Sequence, residues 1–453
     1  PSYKRSDLLC PLVTHAGAYT RQIVGYTVNM QDGDEPKSSP AQVNTSFSPF
    51  QTFRSLSIPS YRYLWFGSLL QMGAMQMQMM TRGYFVYELT RSASMLGYVM
   101  AGAAGPGLLF GLFGGVIADR LDKRRIIQAA QLVSGALALF IAVSITTGTV
   151  TWQHLLFASV IHGSVMPLMM PARQAIVPKL VGRDLLTNAI ALNSMGMSVN
   201  SLVAPALAGL VISGLGIGGA YYMISGMNIA AIFLTALVPA SGPVAGMQHK
   251  SVFRDLSDGL SYVRQNRTIL VLLLLSFSTM ILAMPIRFVL PIFAKDIFLV
   301  GPRGLGFMMS AMGIGSLVGA LAIASAGKLA SRGLVLSVGG IFSGGVLMAF
   351  AIVSQFAPVF WAGVAILTVV GFMQAGRMTL NNSLLIESSD EKFRGRVMGL
   401  FALNMALMPA SVLPITIASE FIGAPTAVGI VGIALTLISA MFVICSGRLR
   451  SLQ

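Results

Sequence analysis

From Tyr61 onward the chain alternates between long apolar runs and short polar loops. A helix needs about 20 predominantly apolar residues to cross the hydrocarbon core of a bilayer. Twelve runs of about this length follow one another: 61–88, 94–118, 126–148, 152–178, 185–213, 217–240, 268–295, 303–325, 333–353, 357–386, 396–420 and 425–446. The pattern predicts an all-α polytopic membrane protein with twelve transmembrane helices, numbered here as spans 1–12.

The basic residues predict which ends of the spans face the cytoplasm. With the N-terminus inside, the cytoplasmic segments hold Arg120–Arg125, Lys179, Arg183, Lys250–Arg267, Lys328, Arg332, Lys392–Arg396, Arg448 and Arg450. The opposite loops hold Arg91, Lys295 and Arg303. Because cytoplasmic loops carry an excess of Lys and Arg, both termini are expected in the cytoplasm of a plasma (inner) membrane protein.

Polar segments divide the chain into five regions. Residues 1–57 predict a disordered cytoplasmic tail, and 447–453 predict a short C-terminal tail. An N-terminal half, 58–240, and a C-terminal half, 268–446, each hold six spans. The cytoplasmic linker 241–267 lies between them and alternates apolar and polar residues at helical spacing. We expect an amphipathic helix there, capped by Ser251 and lying along the inner membrane surface.

Short motifs recur about 210 residues apart, in equivalent spans of the two halves. Glycines spaced G-x-G-x-x-x-G occupy 105–111 in span 2 and 313–319 in span 8. The tripeptide Ala-Leu-Asn occupies 191–193 in span 5 and 402–404 in span 11. The repeats predict two six-helix pseudo-repeats, and the glycines predict close helix packing.

Composition and motifs bound the function. The 453 residues are 55% hydrophobic and 10% charged, with a net charge of +15. The basic residues are scattered in loops, which favours contact with anionic lipid and argues against nucleic acid as a partner. The sequence has no phosphate-binding G-x-x-x-x-G-K-[ST], no H-E-x-x-H and no paired His/Cys cluster. No enzyme activity, cofactor or metal is therefore expected. The chain starts without Met, and Met30 is a plausible native start, so we expect residues 1–29 to be either a wrongly included upstream extension or a fragment of something else.

Four arginines lie inside predicted spans: Arg82, Arg173, Arg287 and Arg377. An arginine at the centre of a span costs roughly 2.5–3.5 kcal/mol, so each is expected to face water, a ligand or a polar partner. The alternative is structural, because long side chains near a span end can reach the membrane surface and others can pin helices together.

Polar and methionine residues share helical faces with these arginines. Gln71, Gln78 and Arg82 lie on one face of span 1, His162 and Arg173 on one face of span 4, and Gln374 and Arg377 on one face of span 10. Such faces predict the wall of a wet substrate cavity, although methionines also fill cores and His162 is either a proton carrier or a hydrogen-bonded core histidine. No acidic residue lies at a span centre, which predicts a neutral or anionic substrate.

The loop between spans 2 and 3, GVIADRLDKRR at 115–125, resembles the signature loop of the major facilitator superfamily. Asp122 stands where that superfamily usually has a second glycine, and an ordinary positive-inside loop is the alternative. The resemblance implies a central cavity lined by spans 1, 4, 7 and 10. It also implies an inner gate: Gly115 shapes the loop, Asp119 meets the start of span 11 near Arg396, and Arg120 and Arg124 pair with acids. Glu387 and Asp184 are the expected acids.

Further segments resemble the enterobactin-exporter-like and macrolide-efflux-like permeases. They include 53–65, 87–92, 171–178, 253–264 and 393–398. Ala204, Pro205 and Gly209 in span 5 resemble a degenerate antiporter motif that bends its helix, with alanines at 204 and 208 where glycines are usual. The resemblance implies a monomeric exporter that uses proton antiport.

The sequence therefore predicts a secondary active transporter that exports a small neutral or anionic organic compound by alternating access. An importer or facilitator of the same fold is the first alternative. A membrane-embedded enzyme or lipid flippase is the second, and it would show a lateral polar groove in place of a central cavity.

Overall fold

The computed structural model describes residues 49–111, 121–240, 252–325 and 332–445. Residues 1–48, with Met30, lie outside the described residues, as do Gly115, Asp119, Arg120, Ser251 and the tail 447–453. The sequence predictions made for these residues stay predictions.

The first half begins with a 3-10 helix and continues through long α-helices. These are the 3-10 helix Pro49–Ser57, α1 Pro59–Thr90, α2 Ala93–Ala101 with a further helical turn region to Gly111, α3 Lys123–Thr146, α4 Trp152–Val181 and α5 Leu186–Ala236. The linker holds α6 Val252–Gln265, which is the helix expected there.

The second half has the same character. Its helices are α7 Arg267–Ala283, α8 Ile286–Ile292, a π-helical turn Phe293–Ile297, α9 Gly301–Ser325, α10 Arg332–Phe356, α11 Phe360–Ser388, α12 Glu391–Leu407, α13 Val412–Ile422 and α14 Ala424–Cys445. The described residues contain helices and no strands, which confirms the all-α polytopic prediction.

Local sequence signals set the helix boundaries. Pro59 occupies the first turn of α1, where a missing N–H costs nothing. The Ser92 hydroxyl caps α2 by accepting from the backbone N–H of Met95. Thr151 and His154 form a reciprocal capping box at the start of α4. Gly182 follows α4 with a φ of 71°, a conformation that few other residues tolerate.

Nine of the described helical stretches are long and apolar enough to cross a membrane. The stretch 186–236 is one of them and covers predicted spans 5 and 6, because helix continues on both sides of non-helical angles at Gly216. The 32-residue α1 is not among the nine, since its three glutamines dilute its apolar character. The number twelve stays a prediction.

Three sequence expectations need correction. Spans 7 and 11 were each predicted as one helix. Span 7 is one membrane-length stretch, 267–297, but a turn at Met284 and Pro285 interrupts its helix, and span 11 is interrupted between Leu407 and Val412 around Pro409. Proline lacks the N–H that an unbroken helix needs. Residues 49–57 were assigned to a disordered tail, but they form a 3-10 helix. The hydroxyl of its Ser55 donates to Asn188 Oδ1 at 2.7 Å.

The two halves meet along small residues of α5 and α9. A Cβ added to Gly306 would lie 2.7 Å from the carbonyl oxygen of Pro205, and one added to Gly209 would lie 2.6 Å from that of Pro302. The α5 backbone keeps helical angles through Ala204, Pro205 and Gly209 and departs from them at Gly216. The segment expected to bend its helix therefore forms a close backbone contact between halves.

Candidate functional site

A cavity lies in the C-terminal half, among α7, α10, α11 and α12. Its volume is about 50 Å³. The residues that line it are Leu275, Ser276, Thr279, Met280, Met284, Leu336, Gln374, Arg377, Met378, Asn381 and Phe401. None of these described lining residues is acidic, so Arg377 is the charged group of the wall.

One nitrogen of the Arg377 guanidinium has a hydrogen-bond acceptor among the described residues, and the other two have none. Its Nη2 donates to the Thr279 hydroxyl, whereas its Nε and Nη1 are buried and find no acceptor among the described residues. Two glycines of α10 make room for it, because a Cβ on Gly340 would lie 3.5 Å from Nη2 and one on Gly339 would lie 3.4 Å from Cγ.

Two amide side chains extend this polar wall. Gln374 and Asn381 lie one turn on either side of Arg377 on α11, and both are buried. The amide oxygen and nitrogen of each find no hydrogen-bond partner within the part of the chain that the structure describes. Together the three residues offer donors and acceptors to a ligand. Buried polar groups are usually paired, so unpaired groups that line a cavity indicate a binding site.

The predicted site residues of the N-terminal half form a separate buried cluster. Arg173 Nη2 donates to Gln71 Oε1 at 2.6 Å, and Gln131 Nε2 donates to the same oxygen at 3.2 Å. Gln131 also donates to the Thr235 hydroxyl at 3.1 Å. These contacts join α1, α3, α4 and α5, so Gln71 and Arg173 lie in the interior of the N-terminal bundle and not in the cavity at Arg377.

Arg82 and His162 lie near each other in the same half. Arg82 Nη1 donates to the Ser159 hydroxyl at 2.8 Å, and Ser159 lies one turn before His162 on α4. Arg82, Gln78 and His162 are all buried. The predicted cavity residues of the N-terminal half thus face their own bundle, because helices 1 and 4 bury their polar faces against each other and against α3 and α5.

Arg287 lies in a second, smaller cavity between the halves. Its volume is about 10 Å³, and it is lined by Met79, Met80 and Gly83 of α1, Arg287, Phe288 and Pro291 of α8, and Met309 of α9. The Arg287 Nε is buried and has no acceptor among the described residues. The predicted cavity residues therefore fall into three groups: Gln374 with Arg377, Arg287 alone, and the N-terminal cluster.

Polar contacts join the halves at the ends of α1 and span 7, on the predicted outer side. Lys295 Nζ forms an ion pair with Glu88, and the Tyr87 hydroxyl donates to Asp296. Arg91 lies 3.5 Å from the same Asp296 carboxylate. Beside them, Glu420 of α13 accepts from the Ser92 hydroxyl and the Ser94 backbone N–H. We call these contacts the outer seal. Sequence reasoning missed it, although opposite charges at the outer ends of spans 1 and 7 were the available signal.

The predicted inner gate is described only in part. Asp122 caps α3 by accepting from the Arg124 N–H at 2.9 Å, which gives this departure from the superfamily pattern a structural role. Arg396 forms an ion pair with Asp258 of the linker helix at 3.3 Å.

Of the two acids expected at the gate, Glu387 has another partner. Glu387 accepts two bonds from Arg332 Nη1, at 2.8 and 2.9 Å, and is not paired with Arg124. Both residues belong to the C-terminal half, so this pair does not cross between the halves. Asp184, the other expected acid, is exposed.

Comparison with known families agrees with this architecture. The family model described as "Transmembrane secretion effector" matches residues 46–452, which is nearly the whole chain. Macrolide efflux protein A of Streptococcus pyogenes is 24% identical over 365 residues, covering 80% of this chain and 89% of the relative. The enterobactin exporter EntS of Salmonella typhimurium is 25% identical over 390 residues, covering 83% and 87%.

Solved structures share the fold at low sequence identity. The nucleoside transporter NupG superposes with a TM-score of 0.68 at 16% identity, covering 85% of this chain and 98% of that one. An inward-facing bacterial homologue of the human lysosomal transporter Spinster gives 0.65 at 13%, covering 89% and 98%. The family and these relatives are transporters, which confirms the prediction that this chain is a transporter and not an enzyme. The chain belongs to the transmembrane secretion effector family of the major facilitator superfamily and is a multi-pass membrane transporter.

Proposed function

We propose that this transporter exports a small organic anion, which binds in the C-terminal cavity at Arg377. The observation that carries the proposal is a buried guanidinium with two unpaired N–H corners in a cavity whose described lining holds no acid. Gln374 and Asn381 would orient the rest of the ligand through their free amides. A neutral compound is the weaker candidate, because it would leave the arginine without a counter-charge.

Energetics favour an anionic ligand. A charged group in a low-dielectric interior costs several kcal/mol unless it is paired, on the order of the insertion penalty of an arginine. A carboxylate or phenolate oxygen would accept from one of the open N–H groups of Arg377, and such a charge-assisted bond is about twice as strong as a neutral one. A cationic ligand would meet repulsion in the same cavity.

Alternating access supplies the transport step. The ion pair between Lys295 and Glu88 and the bond between Tyr87 and Asp296 tie the halves together at the outer side. Rocking of one half against the other would break these contacts and open the cavity outward. We propose that the protein lies in the plasma (inner) membrane as a monomer with both termini in the cytoplasm. The names of its relatives support the outward direction, and proton antiport is the proposed source of energy.

Efflux from bacteria that lack their own pumps tests this function. Cells loaded with fluorescein diacetate release the anion fluorescein internally, and a rhodamine of the same ring system serves as the cationic control. We expect cells that carry the transporter to lose fluorescein faster than cells without it, and an uncoupler to abolish this difference. Rhodamine should leave both kinds of cell at the same rate. The variant R377Q is expected to slow fluorescein efflux at least tenfold, since a hydrogen bond to a charged group contributes about 1.5–3 kcal/mol.

Three outcomes would contradict the proposal. Loss of rhodamine in place of fluorescein would show a cation pump with structural arginines. Accumulation of fluorescein from the medium would show an importer. Normal efflux by R377Q would show that Arg377 only packs helices.

A further inference from the structure

Cationic side chains lie at successive heights along span 7. Arg377 of α11 contacts this span by donating to the hydroxyl of Thr279 on α7. Arg287 follows Thr279 by eight residues, on α8, and Lys295 follows Arg287 by eight residues. Eight residues of α-helix rise about 12 Å. Arg287 therefore lies between the cavity at Arg377 and the outer seal that contains Lys295.

The two cavities adjoin along this span. Met280 and Met284 line the larger cavity, and Arg287, Phe288 and Pro291 line the smaller one. Met284 and Phe288 are four residues apart, although the break between α7 and α8 falls between them. The smaller cavity lies between the halves, and Tyr87 and Glu88 of the outer seal follow its Gly83 by about one helical turn on α1.

Arg287 has no packing partner that explains its charge. The other described residues around its cavity are methionines, a glycine, a phenylalanine and a proline. Its Nε is buried and lacks an acceptor within the described ranges. Arg82 also has a buried Nε without an acceptor, but its Nη1 donates to a serine inside a bundle, and no such hydrogen bond is found for Arg287 among the described residues. A guanidinium that only joined helices would need such an acceptor, so Arg287 is suited to bind an anionic group that is present for part of the cycle.

We propose that Arg287 forms a second, outer anion-binding position, which takes over the acidic group of the substrate from Arg377 as the outer seal opens. The inference rests on the proposed function and adds a step to it. Inward-facing substrate is recognised at Arg377. Transfer to Arg287 then keeps the anion paired while it crosses the apolar space between α1 and α8, and Lys295 becomes available at the exit when its bond to Glu88 breaks.

Uptake of fluorescein into inside-out membrane vesicles tests the step, because the cytoplasmic face is then exposed to a chosen concentration. We expect R287Q to lower the maximal rate about tenfold, because it loses one hydrogen bond between charged groups. The KM is expected to stay within about twofold of the wild type, because Arg377 is intact. R287K keeps the charge and is expected to retain most of the rate. R303Q removes an exposed outer cation and serves as the matched control with normal kinetics.

Several results would overturn the second position. Equal rates for R287Q and the wild type would show that Arg287 takes no part. A raised KM with an unchanged maximal rate would place Arg287 in the inner site. Equal losses in R287Q and R287K would show a role in packing and not in charge. If the wild-type vesicles take up no fluorescein, the proposed function itself fails, which is a distinct result.

Discussion

At the scale of single residues, three of the four arginines inside the spans share one feature: each donates to a neutral acceptor and none to a carboxylate among the described residues. Arg82 donates to Ser159, Arg173 to Gln71 and Arg377 to Thr279. What differs is their surroundings. The bond from Arg173 belongs to a network with Gln131 inside a bundle, whereas Arg377 lines a cavity. This difference separates arginines that stabilise the fold from those that can bind a ligand.

The variant Q71L tests the structural role of the first group. It removes the oxygen acceptor of Arg173 and leaves only the weak acceptor Met169 Sδ at 3.7 Å, which costs about 1–3 kcal/mol or more for a buried charged group. We expect a clear fall in the melting temperature of the purified protein, measured by tryptophan fluorescence. Q76L on the same helix is the control, because Gln76 is half-buried and lies outside this network. An unchanged melting temperature in Q71L would contradict the role assigned to the network.

At the scale of helices, the outer seal couples two elements that carry opposite charges at their ends. Glu88 ends α1 and Lys295 lies in the π-helical turn of span 7, above the ring of Tyr84 at 5.8 Å. α1 and α8, the helix before that turn in span 7, also line the cavity that holds Arg287. On the proposed mechanism, opening the seal would expose that cavity to the outside.

Charge reversal tests this coupling. We expect E88K or K295E alone to favour the outward-open state, because each places like charges together, and the double variant to restore the closed state. The readout is labelling of M79C by a membrane-impermeant thiol reagent added outside, in a protein whose Cys10 and Cys445 are replaced by serine. E391K, an exposed position at the start of α12, is the control. Equal labelling of both single variants and the double variant would contradict the seal.

At the scale of the whole molecule, the apolar pattern was enough to predict the helical architecture. Backbone groups in lipid must be bonded within their own segment, so span length follows directly from hydrophobic length. The breaks in spans 7 and 11 were harder to predict, because proline is tolerated in many membrane helices when neighbours satisfy the freed carbonyls. Pro205 and Pro409 illustrate this, since helix continues through the first and stops near the second.

The candidate site was predicted only in part, for a related reason. Helical spacing shows that Gln71, Gln78 and Arg82 share a face, but it does not show which neighbour covers that face. In a membrane, a polar face is shielded from lipid equally well by a bundle interior or by a central cavity. The same pattern on α11 lines a cavity, at Gln374 and Arg377. Only the packing of neighbouring helices separates the two cases.

Binding of fluorescein to the purified transporter tests the central claim most directly. Fluorescence anisotropy in detergent would compare the wild type with R377Q, R377K and R287Q. The structure predicts binding by the wild type, a loss of affinity of about tenfold or more in R377Q, partial rescue in R377K and near-normal binding in R287Q. Equal affinity of the wild type and R377Q would show that the anion does not bind at Arg377 and would contradict the account.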